Sequence, residues 1–236
     1  MTSGDFFADR ITGRNVLVAI DGPAGSGKSS VARAVAERLG FAQLDTGATY
    51  RAVALVALGE EVDLADGASL AAIAGGVDLT ATGVFYRGEH IPDGTLRTPE
   101  VSAAASRVSA HRALREVLVE RQRTAAREAQ AASGAVVEGR DIGTVVLPDA
   151  ELKVFLSASP EERARRRALQ TGRGEELGRI REAMRTRDRR DSERETSPLK
   201  PSPGAVVLDT TGLPLEEVVA RIVELAREAR EGANGL

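Results

Sequence analysis

Short apolar runs alternate with longer amphipathic stretches along most of the chain. Five of the runs are mainly apolar and too short for helices, so they predict buried strands. Between them apolar residues recur at helical spacing, as Val31, Val35 and Leu39 do after the first run. This alternation predicts an α/β fold with a parallel sheet that helices cover on both faces. The predicted strands are residues 16–20, 41–44, 135–137, 152–156 and 206–208.

Capping residues indicate where several helices begin and end. Ser159 and Thr98 are each followed by a proline and by glutamate, the pattern of a helix N-terminus. Gly40 can end the first helix in a left-handed conformation. Residues 215–230 predict a last amphipathic helix, and we expect the glycine-containing tail, 231–236, to fray.

Residues 63–98 depart from the alternation of strand and helix. Their second half, 79–91, predicts short antiparallel strands joined by glycine turns. We therefore predict an insertion at 63–98 in a core formed by 1–62 and 99–236. Such an insertion can hold a second substrate beside the sheet, or it can be a structural hairpin without a binding role.

The segment 22–29, Gly-Pro-Ala-Gly-Ser-Gly-Lys-Ser, matches the P-loop pattern G-x-x-x-x-G-K-[ST] between the first predicted strand and its helix. Its glycines let backbone N–H groups approach phosphate oxygens at a helix N-terminus. Lys28 can reach the β- and γ-phosphates of ATP, and the Ser29 hydroxyl can bind Mg²⁺. The predicted ATP site comprises Gly22, Pro23, Ala24, Gly25, Ser26, Gly27, Lys28, Ser29 and Ser30.

Two more polar segments follow predicted strands, where open α/β sheets bind ligands. In the first, Asp45 ends a strand, Thr46 can cap the next helix, and Arg51 lies one turn further on. In the second, Arg140 can bind a phosphate bidentately, and Asp141 can orient that arginine or hold Mg²⁺ through water. The alternatives are helix caps with a solvated arginine in the first segment, and a surface ion pair in the second.

Arginines are concentrated in the second half of the chain. The run 163–167 precedes a segment with two glycines, 169–174, that suits a mobile lid. Its arginines can close on a phosphoryl group during transfer, or form a solvated basic face or a nucleic-acid patch. Arg187, Asp191 and Arg194 share one helical face, which fits both intrahelical ion pairs and a nucleotide-binding stripe.

The composition narrows the classes of partner. The net charge is −3 and aromatic residues make up 3% of the 236, so we expect no nucleic-acid partner. No apolar segment is long enough to span a membrane, and the polar start of the chain lacks the apolar stretch of a secretion signal. The absence of cysteine excludes disulfides and thiolate metal sites and fits a cytoplasmic protein.

Taken in order, the motifs resemble those of the bacterial cytidylate kinases, in the P-loop nucleoside monophosphate kinase family. The resemblance extends over about residues 15–230. It implies a five-stranded parallel core, an inserted antiparallel β/α domain for the monophosphate, and a helical lid at 160–178. The segments that carry it are 20–29, 44–51 (Leu-Asp-Thr-Gly-Ala-Thr-Tyr-Arg), 139–146 (Gly-Arg-Asp-Ile-Gly-Thr-Val-Val), 187–194 before Ser197-Pro198-Leu199, and 206–211.

The resemblance implies that ATP, with Mg²⁺, phosphorylates CMP or dCMP, in a protein that we expect to be a monomer. Arg51 and Arg140 would hold the acceptor phosphate beside Thr46. Ser106, Arg115 and Arg194 would contact the cytosine, and Arg187 and Asp191 the sugar. The implied catalytic residues are Lys28, Arg140, Asp141 and Arg167; the implied CMP-binding residues are Asp45, Thr46, Arg51, Ser106, Arg115, Arg140, Arg187, Asp191 and Arg194; and Ser29 is the implied magnesium ligand.

Three alternatives remain open from the residues alone. The chain can be another P-loop kinase, for UMP, AMP or shikimate. It can bind ATP as a sensor without turning it over. It can also bind RNA through its arginine-rich segments, although its acidic net charge and few aromatic residues disfavour that hypothesis.

Overall fold

The structure is a computed structural model that describes residues 15–172 and 174–233. The polar start at 1–14, Arg173 in the predicted lid and residues 234–236 of the predicted tail lie outside the described residues, whereas 231–233 of that tail continue the last helix. In chain order the described strands are β1 Leu17–Asp21, β2 Ala42–Asp45, β3 Val77–Thr80, β4 Gly83–Tyr86, β5 Glu89–Ile91, β6 Ala135–Gly139, β7 Leu152–Ser157 and β8 Val206–Asp209.

Among the described residues, α-helices separate the core strands as the sequence predicts, except between β6 and β7. A π-helical turn, Ile142–Val146, follows β6, and a 3₁₀ turn, Gly174–Glu176, lies within the predicted lid. The α-helices are α1 Lys28–Leu39, α2 Thr46–Gly59, α3 Gly67–Ala74, α4 Asp93–Leu96, α5 Pro99–Val108, α6 Arg112–Ala132, α7 Pro160–Thr171, α8 Leu177–Glu193 and α9 Leu215–Ala233.

The five predicted strands form one parallel sheet in the order β2-β6-β1-β7-β8, which confirms the predicted fold class. In the central strand β1, Val18 lies opposite Val136 of β6 and Leu152 of β7. Because every strand runs in the same direction, their carboxyl ends meet at one edge of the sheet. The P-loop and both polar segments therefore leave the sheet at that edge.

Side chains of β1 alternate between two hydrophobic clusters, one on each face of the sheet. Leu17 and Ala19 pack with α2, α5 and α6, whereas Val18 and Ile20 pack with α1 and α9. A strand buried on both faces is apolar at every position, which is why 16–20 forms an unbroken apolar run.

The predicted caps are observed, with one correction. Ser159 accepts a hydrogen bond from the backbone N–H of Glu162, and Gly40 adopts φ 68° after α1. At the start of α2, Asp45 is the capping residue. The hydroxyl of Thr46 instead donates to the carbonyl oxygen of Glu138 at 2.7 Å, so it joins α2 to β6.

The insertion contains a three-stranded antiparallel sheet in the order β3-β4-β5, as the glycine turns predict. Its buried residues Leu70, Val77 and Val84 belong to the same hydrophobic cluster as Ala52 of α2 and Leu118 of α6. The insertion therefore packs on the helices that cover one face of the core sheet. The boundaries at 62, 98, 160 and 178 remain predictions.

Candidate active site

A cavity of about 1210 Å³ opens at the carboxyl edge of the core sheet. Its wall combines the P-loop, the start of α2, α5, the loop after β6, and the lid helices α7 and α8. The structure thus brings together predicted site residues that are up to 170 positions apart in the sequence, from Ala24 to Arg194. The predicted site residues in this wall are Ala24, Gly25, Ser26, Gly27, Lys28, Ser29, Ser30, Asp45, Thr46, Arg51, Ser106, Arg115, Arg140, Asp141, Arg167, Arg187, Asp191 and Arg194; Gly22 and Pro23 are not part of the described lining.

Two glycines allow the P-loop to take its shape. Gly22 has φ 151°, and a Cβ there would lie 2.2 Å from the carbonyl oxygen of Leu156. Gly25 has φ 74°, and its Cβ would lie 2.7 Å from Cε of Met184 and 2.8 Å from the carbonyl oxygen of Arg163. The loop therefore contacts β7 and both lid helices at distances that only glycine permits.

Lys28, the first residue of α1, is half-buried and lines the cavity. Its Nζ donates to the carbonyl oxygen of Pro23 at 2.7 Å. Burial, and secondarily the positive charge of Arg140, lowers the pKa of Lys28 to about 7. A phosphate group bound at this site would stabilise the charged form of Lys28 with its own negative charge.

Glu138, near the end of β6, is a site residue that the sequence reasoning missed. Its Oε2 accepts from the Ser29 hydroxyl at 2.7 Å, and its Oε1 from Gln43 at 3.1 Å. Burial, followed by the charge of Asp45, raises the pKa of Glu138 to about 7. The sequence did contain a signal for Glu138, namely a carboxylate at the end of an apolar run. A buried acid at a strand end requires a partner, which marks it as a candidate site residue.

Asp21, at the end of β1, was also missed and has a supporting role. Its two carboxylate oxygens accept the backbone N–H groups of Ile142 and Gly143, each at 2.8 Å. Burial raises the pKa of Asp21 to about 6. Asp21 thus holds the π-helical turn that follows Arg140 against the central strand.

Three arginines converge on the cavity beside Lys28. Arg51 pairs with Asp45 at 2.6 Å, and Arg140 lies 3.1 Å from Asp191. Burial lowers the pKa of Arg187 to about 10, with the charges of Arg140, Arg51 and Arg167 acting in the same direction. A cluster of positive charges that lowers the pKa of Arg187 favours the binding of an anion.

The pairing of Arg140 corrects one sequence-based interpretation. Asp141, its neighbour in the chain, pairs instead with Arg115 at 2.5 Å and lies 3.8 Å from Arg194. The carboxylate beside Arg140 comes from Asp191 of α8. Asp141 therefore belongs to the predicted base-contacting group and not to the orientation of Arg140.

That group lies at the far end of the cavity, against α5 and α6. The guanidinium of Arg115 is almost fully buried and stacks over the ring of Tyr50, with its carbon 5.2 Å from the ring centre. Ser106 accepts a hydrogen bond from Arg190 at 3.0 Å. Arg190 also lines the cavity and was missed, although it lies one turn after Arg187 on α8.

A second missed arginine reaches the cavity from the insertion. Arg97, which follows α4, donates to Oδ2 of Asp45 at 3.2 Å. The same carboxylate oxygen accepts from Arg51 at 2.6 Å. Asp45 thus joins the insertion to α2 at the mouth of the cavity.

The arginines of the run 163–167 differ in their contacts. Arg166 donates to Thr210 through two nitrogens, at 2.9 and 2.6 Å, and to Glu162 at 2.8 Å. Arg167 lines the cavity, and Arg165 is mostly exposed and pairs with Glu162. Arg163 points to the P-loop. The alternative that this run forms a solvated basic face therefore fits Arg165 only in part, because Arg165 also borders the cavity.

In the described part of the chain, no helix is both long enough and apolar enough to cross a bilayer.

Comparisons with known proteins agree with the motifs. The family model for cytidylate kinase matches residues 18–228. A cytidylate kinase of Desulfitobacterium hafniense is 46% identical over 226 residues, which cover 92% of this chain and 95% of that protein. Those of Streptomyces avermitilis and Geobacillus thermodenitrificans are each 45% identical over 91% of this chain, and the matches cover 94% and 98% of the relatives. This chain belongs to the cytidylate kinase family.

Proposed function

We propose that this chain transfers the γ-phosphoryl group of ATP to CMP and dCMP, giving ADP and CDP or dCDP. The observation that carries the proposal is the convergence of Lys28, Arg51, Arg140 and Arg187 on one cavity beside the P-loop. Two phosphate-bearing ligands that must meet end to end need a shared site of this charge. The family name of the relatives supports cytidine monophosphate as the acceptor.

The acceptor enters with its phosphate between Arg51 and Arg140 and with its base towards Ser106 and Arg115. Arg140 donates to the carbonyl oxygen of Gly22 in the P-loop, whereas the Arg115–Asp141 pair is almost fully buried and lies beside Tyr50. A buried arginine and carboxylate offer both donors and acceptors, as the polar edge of a pyrimidine base requires. Arg187 and Asp191, on the same face of α8, lie between the two ends and contact the sugar.

The donor binds on the lid side of the P-loop. Thr210, Leu213, Leu215 and Val218 line the cavity there, together with Arg167 of α7 and with Arg166, which bonds Thr210. Apolar side chains on one side and guanidinium groups on the other suit the flat face of a purine. Lys28 and the backbone N–H groups of 25–29 then hold the phosphates.

The residues present suit a magnesium ion. The Ser29 hydroxyl and the Glu138 carboxylate lie 2.7 Å apart beside Lys28, and a buried carboxylate with a raised pKa is short of positive charge. Ser29 would hold Mg²⁺ directly and Glu138 through water, and the remaining ligands would come from phosphate and water. When bound, the ion neutralises charge on the β- and γ-phosphate oxygens.

Catalysis requires little proton chemistry from the protein. The acceptor phosphate is already an anion, so no strong general base is needed. Lys28 and the arginines align the two phosphates in line and stabilise the charge that spreads over the transferring group. Closure of α7 and α8 would exclude water, which otherwise accepts the phosphoryl group in place of CMP.

An acceptor panel tests the proposal. The purified chain with Mg²⁺ and ATP is assayed with CMP, dCMP, UMP, AMP and shikimate, and product formation is followed for each. We expect CMP and dCMP to give the highest kcat/KM. A preference for AMP or shikimate would contradict the assignment of Ser106, Arg115 and Arg194 to cytosine. ATP binding without turnover of any acceptor would indicate a sensor.

The expectations of a monomer in the cytoplasm and of nucleotides as the only partners remain predictions.

A further inference from the structure

One residue of the P-loop, Ala24, is held through both its backbone N–H and its carbonyl oxygen by an ion pair between α7 and α8. Nη1 of Arg163 on α7 donates to the carbonyl oxygen of Ala24 at 3.0 Å. Oδ1 of Asp188 on α8 accepts from the N–H of the same residue at 3.3 Å. Arg163 and Asp188 also pair directly with each other. The two helices of the lid and the loop are therefore joined at a single residue.

This joint is largely shielded from water. The side chains of Arg163 and Asp188 are 11% and 17% exposed. The adjacent Gly25 has no room for a Cβ, because Met184, one turn before Asp188, and the backbone of Arg163 press against it. An ion pair in such surroundings is screened far less than one on the surface. The contact is thus both tightly packed and electrostatically effective.

Neither Arg163 nor Asp188 belongs to the described cavity lining, so their effect must pass through other residues. Three positions after Arg163, α7 presents Arg166 to the donor side. On α8, Arg187 and Asp191 flank Asp188 and face the acceptor side. The joint therefore lies midway between the residues that would hold the two nucleotides.

We propose that the Arg163–Asp188 pair is a positioning element that fixes both lid helices to the P-loop and thereby sets the alignment of donor and acceptor. The inference rests on the proposed function. Without the pair, the P-loop still binds ATP, but α7 and α8 no longer move as one unit with it. Acceptor phosphate is then misplaced relative to the γ-phosphate, and water gains access to the phosphoryl group.

The first test is Arg163→Met, which removes the ion pair and the bond to the Ala24 carbonyl while keeping the aliphatic stem. Because a displacement of about 1 Å can cost ~100-fold, we expect kcat for CMP to fall by ~10–100-fold, with KM for ATP within about threefold of the parent. The fraction of ATP that is hydrolysed instead of transferred should rise at least about fivefold, since an open lid admits water.

The second test separates positioning from folding. Asp188→Asn is nearly isosteric and keeps an acceptor for the Ala24 N–H, but it removes the negative charge. Asp188→Asn should shift the ratio of hydrolysis to transfer in the same direction as Arg163→Met. The two effects should not add in the double variant, because both substitutions break the same ion pair. Arg163→Lys, which keeps the charge, should recover part of the transfer activity. Melting temperature is measured for each variant.

Arg221→Met is the matched control, since Arg221 pairs with Glu224 on an exposed face of α9. It should leave the ratio of hydrolysis to transfer at the parent value. The inference is overturned if Asp188→Asn and Arg163→Met both keep the parent ratio, whether or not their melting temperatures fall. Failure of the unaltered chain to phosphorylate CMP would contradict the proposed function instead, and that result is read from the same assay.

Discussion

Nε of Arg140 lies 3.1 Å from Oδ2 of Asp191, so the loop after β6 and helix α8 meet across the mouth of the acceptor site. Nη1 of Arg140 donates in addition to the carbonyl oxygen of Gly22 at 2.5 Å. Arg140 thus contacts the P-loop with one nitrogen and the lid with another. Its guanidinium remains within the cavity wall, where a phosphate can be bound.

We predict that Arg140→Met lowers kcat/KM for CMP by the equivalent of about 3 kcal/mol or more, because a charged contact in a water-poor site is lost and Asp191 is left without its nearest partner. Steady-state kinetics with CMP varied at saturating ATP would measure this. Arg112→Met, in an exposed pair with Glu116, serves as the control and should change kcat/KM less than about twofold. Turnover near the parent value would remove Arg140 from the phosphate site.

ATP binding should weaken as the pH rises above 7. The pKa of Lys28 is lowered to about 7 in the free protein, so its ammonium is progressively lost between pH 7 and 9. Phosphate stabilises the charged form, which means that ATP binding must take up a proton in this range. We expect Kd for ATP to rise by up to about tenfold per pH unit there.

Calorimetric titrations in two buffers of different ionisation enthalpy would give both Kd and the number of protons taken up. The comparison variant is Lys28→Met, which has no titrating group at this position and should bind ATP more weakly with little dependence on pH in the same range. A Kd for the parent chain that stays constant from pH 7 to 9 would show that Lys28 is already fully charged before ATP binds.

Most of the core fold could be predicted from the sequence because buried parallel strands leave a local signal. Most of the five strands are apolar runs, and segments with binding chemistry follow them: the P-loop comes after β1, and Arg140 comes directly after β6. The site's location then follows from topology, since the carboxyl ends of parallel strands share one edge. This is why most of the predicted site residues line a single cavity.

The pairing of charges could not be predicted in the same way. Asp191 is 51 positions from Arg140, and nothing in either segment distinguishes it from Asp141 as a partner. Glu138 and Asp21 were missed because each ends an apolar run and resembles a strand terminus. Arg163 was grouped with its neighbours in the run, although tertiary packing turns it alone towards Ala24.

Gly25→Ala should be considerably more destabilising than the same substitution at Gly204. Both glycines have nearly the same backbone conformation, with φ 74° and 73°. Only at Gly25 would the new Cβ meet other atoms, 2.7 Å from Met184, whereas nothing lies within 4 Å at Gly204. We expect about 1–2 kcal/mol from backbone strain at each site, and a further ~1–3 kcal/mol from steric overlap at Gly25.

Urea denaturation of the two variants and the parent chain would measure the difference. Because the backbone cost is common to both substitutions, the free energy of unfolding of Gly25→Ala minus that of Gly204→Ala isolates the contact with the lid. Equal destabilisation would mean that α7 and α8 stand further from the P-loop than the structure has them. In that case the joint at Ala24 would also lose its packing support.

The aromatic ring of Tyr50 should support recognition of the acceptor base through Arg115. The guanidinium carbon of Arg115 lies 5.2 Å from the ring centre, and a cation–π contact away from water contributes about 1–2 kcal/mol. Tyr50→Leu removes the ring but keeps an apolar side chain, so Arg115 loses one of the surfaces that orient it. We predict a KM for CMP about 5–20-fold higher, with kcat changed less than about threefold.

Tyr50→Phe keeps the ring face and should hold KM within about twofold of the parent, which separates the role of the ring from that of the hydroxyl. If Tyr50→Leu lowered kcat and left KM unchanged, Tyr50 would act on the transferring phosphate and not on Arg115.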